Sequence, residues 1–481
     1  MKALTKFFLD QRGCAKNQVD GEIIISNLLA QGWKQASSAE DADLIIINSC
    51  GFIESAKKES LDALLGARKK YKDKKIILAG CLAQRYAKVF KEELPEADGI
   101  FGNGDLSKVA ALAKKVMAGK RAVETPAQRG VSCGERLKLL SFKNSAYVKI
   151  TEGCSNHCSF CAIPLIRGEL RSRPADDILK EIKGLIKRGV FEINLIGQDL
   201  AAYGTGKGDD VFGKKSEEKK SKPASEKKES PLCGLLKKIS RLKGNFWIRL
   251  LYIHPDHFNA DILEVLKKDE RLLPYFDIPF QSGDDKIILA MNRKNSAENY
   301  KALVKEIRSA FPAAALRTTF LAGFPGESQE AAENTLNFLK AVQPDWSGAF
   351  SYSKEDDTPA FSMKRQVPKK TAQERVKALQ AAQEKITRER LLSRVKNGGA
   401  FLEYTVLVEE IIDSPKDGAA TDGEEELFAI GRAWFQAPEV DGSVVIRFEK
   451  SQKAAKGVQE GALAKVRAIA ASGVDIYAEL L

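Results

Sequence analysis

Three cysteines fall within eight residues, in Cys154-Ser155-Asn156-His157-Cys158-Ser159-Phe160-Cys161. Thiolates spaced this closely can wrap one corner of a metal cluster. A [4Fe–4S] cube has four irons, and simple electron-transfer clusters ligate all four through Cys. Three Cys ligands leave one iron open to a substrate or cofactor. Zinc is the competing reading, with His157 or a distant residue as fourth ligand. Zinc sites usually show two ligand pairs, however, and no second pair follows here at suitable spacing. The spacing favours the cluster.

A second triplet is dispersed: Cys14, Cys50 and Cys81. Cys14 lies just beyond the apolar run Phe7-Phe8-Leu9, Cys50 beyond Leu44-Ile45-Ile46-Ile47, and Cys81 beyond Ile76-Ile77-Leu78-Ala79. Residues past the carboxyl ends of adjacent parallel strands converge on one crevice. Each thiol taken alone reads as an ordinary buried cysteine. All three stand beside glycine (Gly13, Gly51, Gly80), which lets the backbone approach a bulky ligand, and together they favour a second cluster. Cys133 and Cys233 lie in loop-like sequence without partners and read as structural.

These thiols need elements to hold them. Residues 1–135 alternate buried-strand runs with amphipathic stretches, which predicts a small open α/β domain. A second alternation over 140–395 contains six candidate strands, at Tyr147–Ile150, Phe191–Ile196, Phe246–Ile253, Tyr275–Phe280, Leu316–Phe320 and Trp346–Ser351. Six such units make a partial (β/α)6 barrel with its chemistry at the C-terminal strand ends. Gln198, in Gly197-Gln198-Asp199, and Gln281 occupy such ends. Gly323 and Gly326, in Gly323-Phe324-Pro325-Gly326, would let backbone pack close to a cofactor; each is also an ordinary turn residue. Residues 206–231, rich in Lys, Glu and Ser, predict a disordered surface insertion. Residues 369–396 predict a charged helix linking two domains. From 400 to 481, Val, Ile and Phe with turns at Asp422-Gly423 and Asp441-Gly442 predict a small antiparallel β-barrel.

The chain has 481 residues, a net charge of +12 and a pI near 9.1, so about three domains are expected and nucleic acid is a partner to weigh. No apolar run approaches the ~20 residues of a membrane span, and residues 1–10 lack a secretory h-region. Cytoplasm is the expected compartment, where clustered thiols are metal ligands rather than disulfides.

The Cys154-x3-Cys158-x2-Cys161 spacing, with Phe160 before the last Cys, resembles the signature of radical S-adenosylmethionine (SAM) enzymes. Joined to Cys14, Cys50 and Cys81, it resembles the methylthiotransferases among them. Supporting stretches are Gly13-Cys14-Ala15-Lys16-Asn17, Asn48-Ser49-Cys50-Gly51-Phe52-Ile53, Gly80-Cys81-Leu82-Ala83-Gln84-Arg85-Tyr86, Ile150-Thr151-Glu152-Gly153-Cys154, Arg167-Gly168, Arg171-Ser172-Arg173 and Arg317-Thr318-Thr319-Phe320. The likeness spans nearly the whole chain apart from 206–231. It implies a methylthiotransferase domain, a radical SAM barrel and a C-terminal TRAM barrel.

The resemblance further implies two [4Fe–4S] clusters. Cys154, Cys158 and Cys161 would hold the one whose open iron chelates SAM; Cys14, Cys50 and Cys81 would hold the one that carries the sulfur. Phe160, Gln198, Gln281, Gly323 and Gly326 are the implied SAM contacts. A flavodoxin-like or ferredoxin-like electron donor and a monomeric enzyme are also implied. The implied substrate is an aspartate β-carbon of the twelfth protein of the small ribosomal subunit. The alternative is an anticodon-loop adenosine of tRNA, to which Ser282 after Gln281 and the overall basicity point. Residues 401–481 carry eight Lys/Arg against fifteen Asp/Glu, a net −7. An acidic barrel repels phosphates and favours a basic ribosomal protein.

Overall fold

The structure, a computed structural model, describes residues 5–213, 229–412, 426–449 and 453–481. Its first sheet contains β1 (Lys6–Gln11), β2 (Lys34–Gln35), β3 (Leu44–Ser49), β4 (Lys75–Gly80), β5 (Gly99–Phe101) and β6 (Ala122–Glu124), all parallel, in the order β2-β1-β3-β4-β5-β6. Strand β3 is buried throughout, as a parallel strand covered on both faces must be. The order reverses between β1 and β3, and the crevice at that switch point opens at the carboxyl ends of the strands, where Cys14 and Cys50 follow.

The second sheet takes β7 (Ser145–Lys149), then, beyond the short antiparallel pair β8 (Thr151–Glu152) and β9 (Arg171–Ser172), β10 (Glu192–Ile196), β11 (Trp247–Leu250), β12 (Leu272–Asp277), β13 (Ala315–Ala322) and β14 (Trp346–Ser351). Its order is β14-β13-β12-β11-β10-β7, all parallel and unclosed between β7 and β14. This is the six-stranded partial barrel.

Beyond the hairpin β15 (Lys396–Asn397) and β16 (Ala400–Phe401), the last strands close a barrel in the order β17-β18-β19-β21-β20: β17 (Glu403–Ile412), β18 (Glu426–Arg432), β19 (Val444–Glu449), β20 (Leu463–Ser472) and β21 (Asp475–Leu480). Four of its pairings are antiparallel, and the contact of β19 with β21 is parallel.

The helix Ala15–Leu29 fills the side of the partial barrel near β7. Its residues from Ala15 to Ser26 are all buried, including Lys16, Asn17, Gln18, Asp20 and Glu22. A helix covered all round carries no clean apolar stripe. The helix Lys369–Val395 also does more than link: Leu379, Ile386 and Leu391 are buried, and Asp345, just before β14, holds Arg394 at 2.7 Å and Arg390 at 3.3 Å.

Of the expected insertion, residues 214–228 lie outside the described residues. Its ends are not the solvated loop that composition suggested. Val211 is buried in the barrel core and its carbonyl accepts the Ala175 amide at 2.8 Å, while Pro231 opens the helix Pro231–Ser240. Cys233 lies in that helix rather than in a loop, buried, with its thiol 3.6 Å from the Asp261 carbonyl. Of the acidic residues in the last segment, Asp413, Asp417, Asp422, Glu424 and Glu425 lie outside the described residues, as does the Asp422-Gly423 turn.

Candidate active site between two cysteine triplets

Each member of the dispersed triplet leaves a strand of the first sheet. Cys14 caps the amino end of the helix Ala15–Leu29, and Cys81 opens the helix Cys81–Glu93 directly after β4. Two of the three thiols therefore sit at helix N-termini, where exposed backbone N–H groups favour thiolate. The loops pack tightly. A Cβ on Gly13 would come within 2.9 Å of Cys50 Cβ, and one on Gly51 within 2.7–2.8 Å of the Cys81–Leu82 backbone. The three loops meet because glycine stands where they touch. Cys81 Sγ accepts from Arg167 Nη2 at 3.1 Å and Asn103 Nδ2 at 3.5 Å.

The compact triplet lies in the loop between β8 and β9. Gly153, at φ +72°, turns the chain into it, and the Cys154 amide donates to the Gly168 carbonyl at 3.0 Å. Ser159 pins the loop to the barrel: its amide reaches Met291 O at 3.1 Å and its hydroxyl Ala290 O at 2.8 Å. Cys161 N donates to Cys158 O at 3.0 Å, folding these four residues into a turn. His157 does not join the thiols: its side chain is 57% exposed and faces Glu169 at 3.6 Å. That removes the His-assisted zinc reading.

All six cysteines are free thiols. Burial, reinforced by nearby negative groups, pushes Cys50, Cys154 and Cys161 up to about 12. Adjacent thiols repel one another's ionisation, so neither group becomes a set of thiolates without cations among them. Soft donors carried in threes on loops that converge, with glycine clearing the approach, suit iron–sulfur clusters.

The two triplets adjoin. Cys81 packs against Ala162 and Ile166, the former next to Cys161. From the end of the same short helix, Ile163–Arg167, Arg167 reaches Cys81, Asp20 at 2.9 Å and Glu152 at 2.6 Å. Lys149 pairs with the same two carboxylates, each at 2.5 Å. Burial opposes the charge on Glu152, but Arg167 and Lys149 outweigh it and hold the carboxyl down to about 2. This four-membered ion network joins the first domain to the barrel across the site.

Behind the compact triplet, His254 Nδ1 accepts the Asp256 amide at 3.2 Å, so its proton sits on Nε2, 3.8 Å from Cys158 Sγ. Burial, helped by Arg293, lowers His254 to about 3 and keeps the ring neutral. Asp199 supports this segment by accepting the His254 amide at 3.1 Å, Asn156 Nδ2 at 3.0 Å and the His257 ring at 2.6 Å.

The other expected site residues are placed unevenly. Gln198 is half-buried beyond β10, beside Asp199. Gln281, at φ +70°, stands opposite Phe320 of β13, its amide donating to the Thr319 carbonyl and its carbonyl accepting from the Leu321 amide, each at 2.8 Å. Phe160 packs in a small apolar cluster with Phe324 and Met291. A side chain at Gly323 would strike Ala372 of the helix Lys369–Val395, so helix packing accounts for that glycine. Gly326, at φ +86°, has open space around it. Ser282 is buried, its hydroxyl committed to Thr335 Oγ1 at 3.1 Å. Arg167 and Lys16 lie inside the quoted motifs with no role that spacing assigns, and Asp20, Lys149 and His254 lie outside any cysteine motif. The signal for the first four was their polar or charged type in segments destined for burial.

Residues 6–102 match the family described as Uncharacterized protein family UPF0004, 148–339 the Radical SAM superfamily, and 403–481 the TRAM domain. A Treponema denticola protein named ribosomal protein uS12 methylthiotransferase RimO is 50% identical over 98% of this chain and 99% of its own length. Proteins of the same name from a Thermoanaerobacter species and Thermosipho africanus are 37% and 38% identical, over 92% of this chain and 93% and 94% of theirs. Among solved structures, the radical SAM methyltransferase TsrM from Kitasatospora setae, with cobalamin and a [4Fe–4S] cluster bound, superposes with a TM-score of 0.51 at 12% identity over 74% of each chain, a likeness of fold. With half of its residues shared along nearly the full length of one relative, this chain belongs to the RimO family of radical SAM methylthiotransferases.

Proposed function

We propose that this enzyme places a methylthio group on an aspartate of ribosomal protein uS12, with Cys154, Cys158 and Cys161 holding the [4Fe–4S] cluster that binds SAM and Cys14, Cys50 and Cys81 holding a second. When bound, the clusters and SAM supply the electron, the hydrogen-abstracting radical, the sulfur and the methyl group. The observation that carries this reading is the contact of Cys81 with Ala162 beside Cys161. Sulfur insertion and hydrogen abstraction act on one carbon, so their two centres have to adjoin.

The chain's own residues do three things in this reading. The pinned loops hold each thiol triplet in place beside the other. Arg167 and Lys149, with Asp20 and Glu152, hold the two domains in register and present positive charge to the Cys81 side. Gln198 and Gln281, at strand ends, contact SAM together with Phe160 and Gly326. Gly323 is left to helix packing.

Substrate capture is assigned to the C-terminal barrel, whose acidity suits a basic protein. Glu409 and Asp441 do not contribute, because each is turned inward to Arg432 and Arg317, at 2.6 Å in both cases. Glu410 and Glu460 are exposed and available. A flavodoxin-like or ferredoxin-like donor supplies the electron, and a cytoplasmic monomer is the working state. Among the described residues no helix is long and apolar enough to cross a membrane.

Mass spectra of uS12 and of tRNA nucleosides, compared with and without the gene, test the substrate. Loss of methylthio-aspartate with tRNA unchanged is expected; unchanged uS12 with altered tRNA overturns the reading. Anaerobically purified enzyme should carry about eight irons and eight sulfides per chain for two such clusters.

A further inference from the structure

We propose that the Lys16 ammonium receives the side-chain carboxylate of the target aspartate and so selects aspartate over its amide. This deepens the function proposed above and rests on it for the identity of the substrate.

The first observation is an imbalance of partners. Nine lysines and arginines are buried among the described residues: Lys16, Arg136, Lys149, Arg167, Arg173, Arg249, Arg293, Arg394 and Arg432. Eight of them hydrogen-bond to carboxylate or carbonyl oxygens. Lys16 has neither a hydrogen bond nor an ion pair there. Its one polar contact is the face of Tyr252, with Nζ 3.2 Å from the ring centroid. A buried ammonium without an acceptor is costly, and a ring face takes only one side of it. The N–H donors that point away from the ring are left for a ligand that brings its own oxygens.

The second observation is place. Lys16 stands two residues after Cys14, in the first turn of the helix that enters the barrel. Tyr252 comes from the opposite side, from the loop after β11, held at φ +68° with its amide on Asp277 at 3.0 Å. Non-glycine residues in that region cluster at functional sites. Lys16 thus spans from the dispersed triplet to the carboxyl end of the barrel strands, where the substrate carbon has to lie.

The neighbouring carboxylates are engaged elsewhere. Arg167 and Lys149 share Asp20 and Glu152, Arg317 holds Asp441, and Asp277 accepts the Tyr252 amide with Arg317 4.0 Å away. Cys14 and Asp277 attract the Lys16 charge without hydrogen-bonding it, so an acceptor for its N–H groups comes from a bound ligand. An aspartate carboxylate is such a group, and its carboxyl carbon is bonded directly to the β-carbon. Fixing one fixes the other. An asparagine amide carries no charge to satisfy a desolvated cation, which is how a buried polar site discriminates.

The test measures binding of fluorescently labelled uS12 and of its target Asp→Asn form to cluster-loaded enzyme. Wild-type enzyme should prefer the aspartate form by tenfold or more. Lys16→Met should retain its iron and lose that preference, and Lys16→Arg should keep part of it. Lys16→Met binding with the preference intact overturns the inference, as does loss of iron in both variants, which would assign Lys16 to the cluster instead. Wild-type enzyme that neither binds nor modifies uS12 overturns the substrate reading itself.

Discussion

At the scale of single residues, the site is built from donors aimed at sulfur and from charges that cancel in pairs. His254 illustrates the first. Its Nε2–H faces Cys158 Sγ, and a hydrogen bond to a ligating thiolate stabilises the more negative, reduced cluster. Replacing His254 by Leu should therefore lower the potential of the SAM-binding cluster by about 40 mV, the equivalent of about 1 kcal/mol. A redox titration followed by electron paramagnetic resonance reads this directly, and an unchanged potential would leave His254 a packing residue. The charge pairs illustrate the second. Arg167 touches Asp20, Glu152 and Cys81 at once, so Arg167→Met leaves two buried carboxylates to the single charge of Lys149 and should cost about 3–5 kcal/mol of stability, seen as a lower denaturation midpoint. None of these partnerships has a sequence signature, because each joins positions far apart in the chain.

At the scale of elements, three strand-to-helix junctions of the first sheet and one pinned loop of the barrel do the positioning. Gly51 sits at one of the tight junctions, with the Cys81–Leu82 backbone where its side chain would be. Gly51→Ala forces the Cys50 loop away from the helix Cys81–Glu93. Overpacking of this kind costs about 1–3 kcal/mol. The expected outcome is selective: iron falls from about eight to about four per chain, while the Cys154 loop, pinned through Ser159, keeps its share. Equal loss from both centres would contradict this division. Strand positions were legible in advance, since runs such as Leu44–Ile47 and Ile76–Ala79 are apolar and flanked by turn signals. The helix Ala15–Leu29 was not, because burial on every side erases the amphipathic pattern and leaves polar residues in the interior.

At the scale of the whole molecule, buried charge also docks the C-terminal barrel. Arg432 reaches Glu192 of β10 at 2.7 Å and Glu409 at 2.6 Å, and Arg249 of β11 reaches Glu192 at 3.0 Å. Burial alone would raise the Glu192 carboxyl, but Arg432 and Arg249 override it and hold it far below its ordinary value. A depressed carboxylate contributes stability that is present above its unfolded pKa and lost as pH falls through the folded one. Thermal stability should accordingly hold at neutral pH and fall away under strongly acid conditions. Arg432→Met should show a loss of about 3–5 kcal/mol already at pH 7, with a weaker dependence on acid; calorimetry across pH separates the two.

The amino-acid sequence by itself determined the order of the three domains, the six barrel strands and the two cysteine triplets. These depend on local spacing, on runs of apolar residues and on residue types that have few other uses. Only the tertiary structure decided which groups surround the thiols: Arg167 on Cys81, His254 on Cys158, the unmatched Lys16, and the inward turn of Glu409 and Asp441 that removes them from an acidic face. Those arrangements arise where separate elements pack together, and the energy of a charge is set by what surrounds it after folding rather than by its neighbours along the chain.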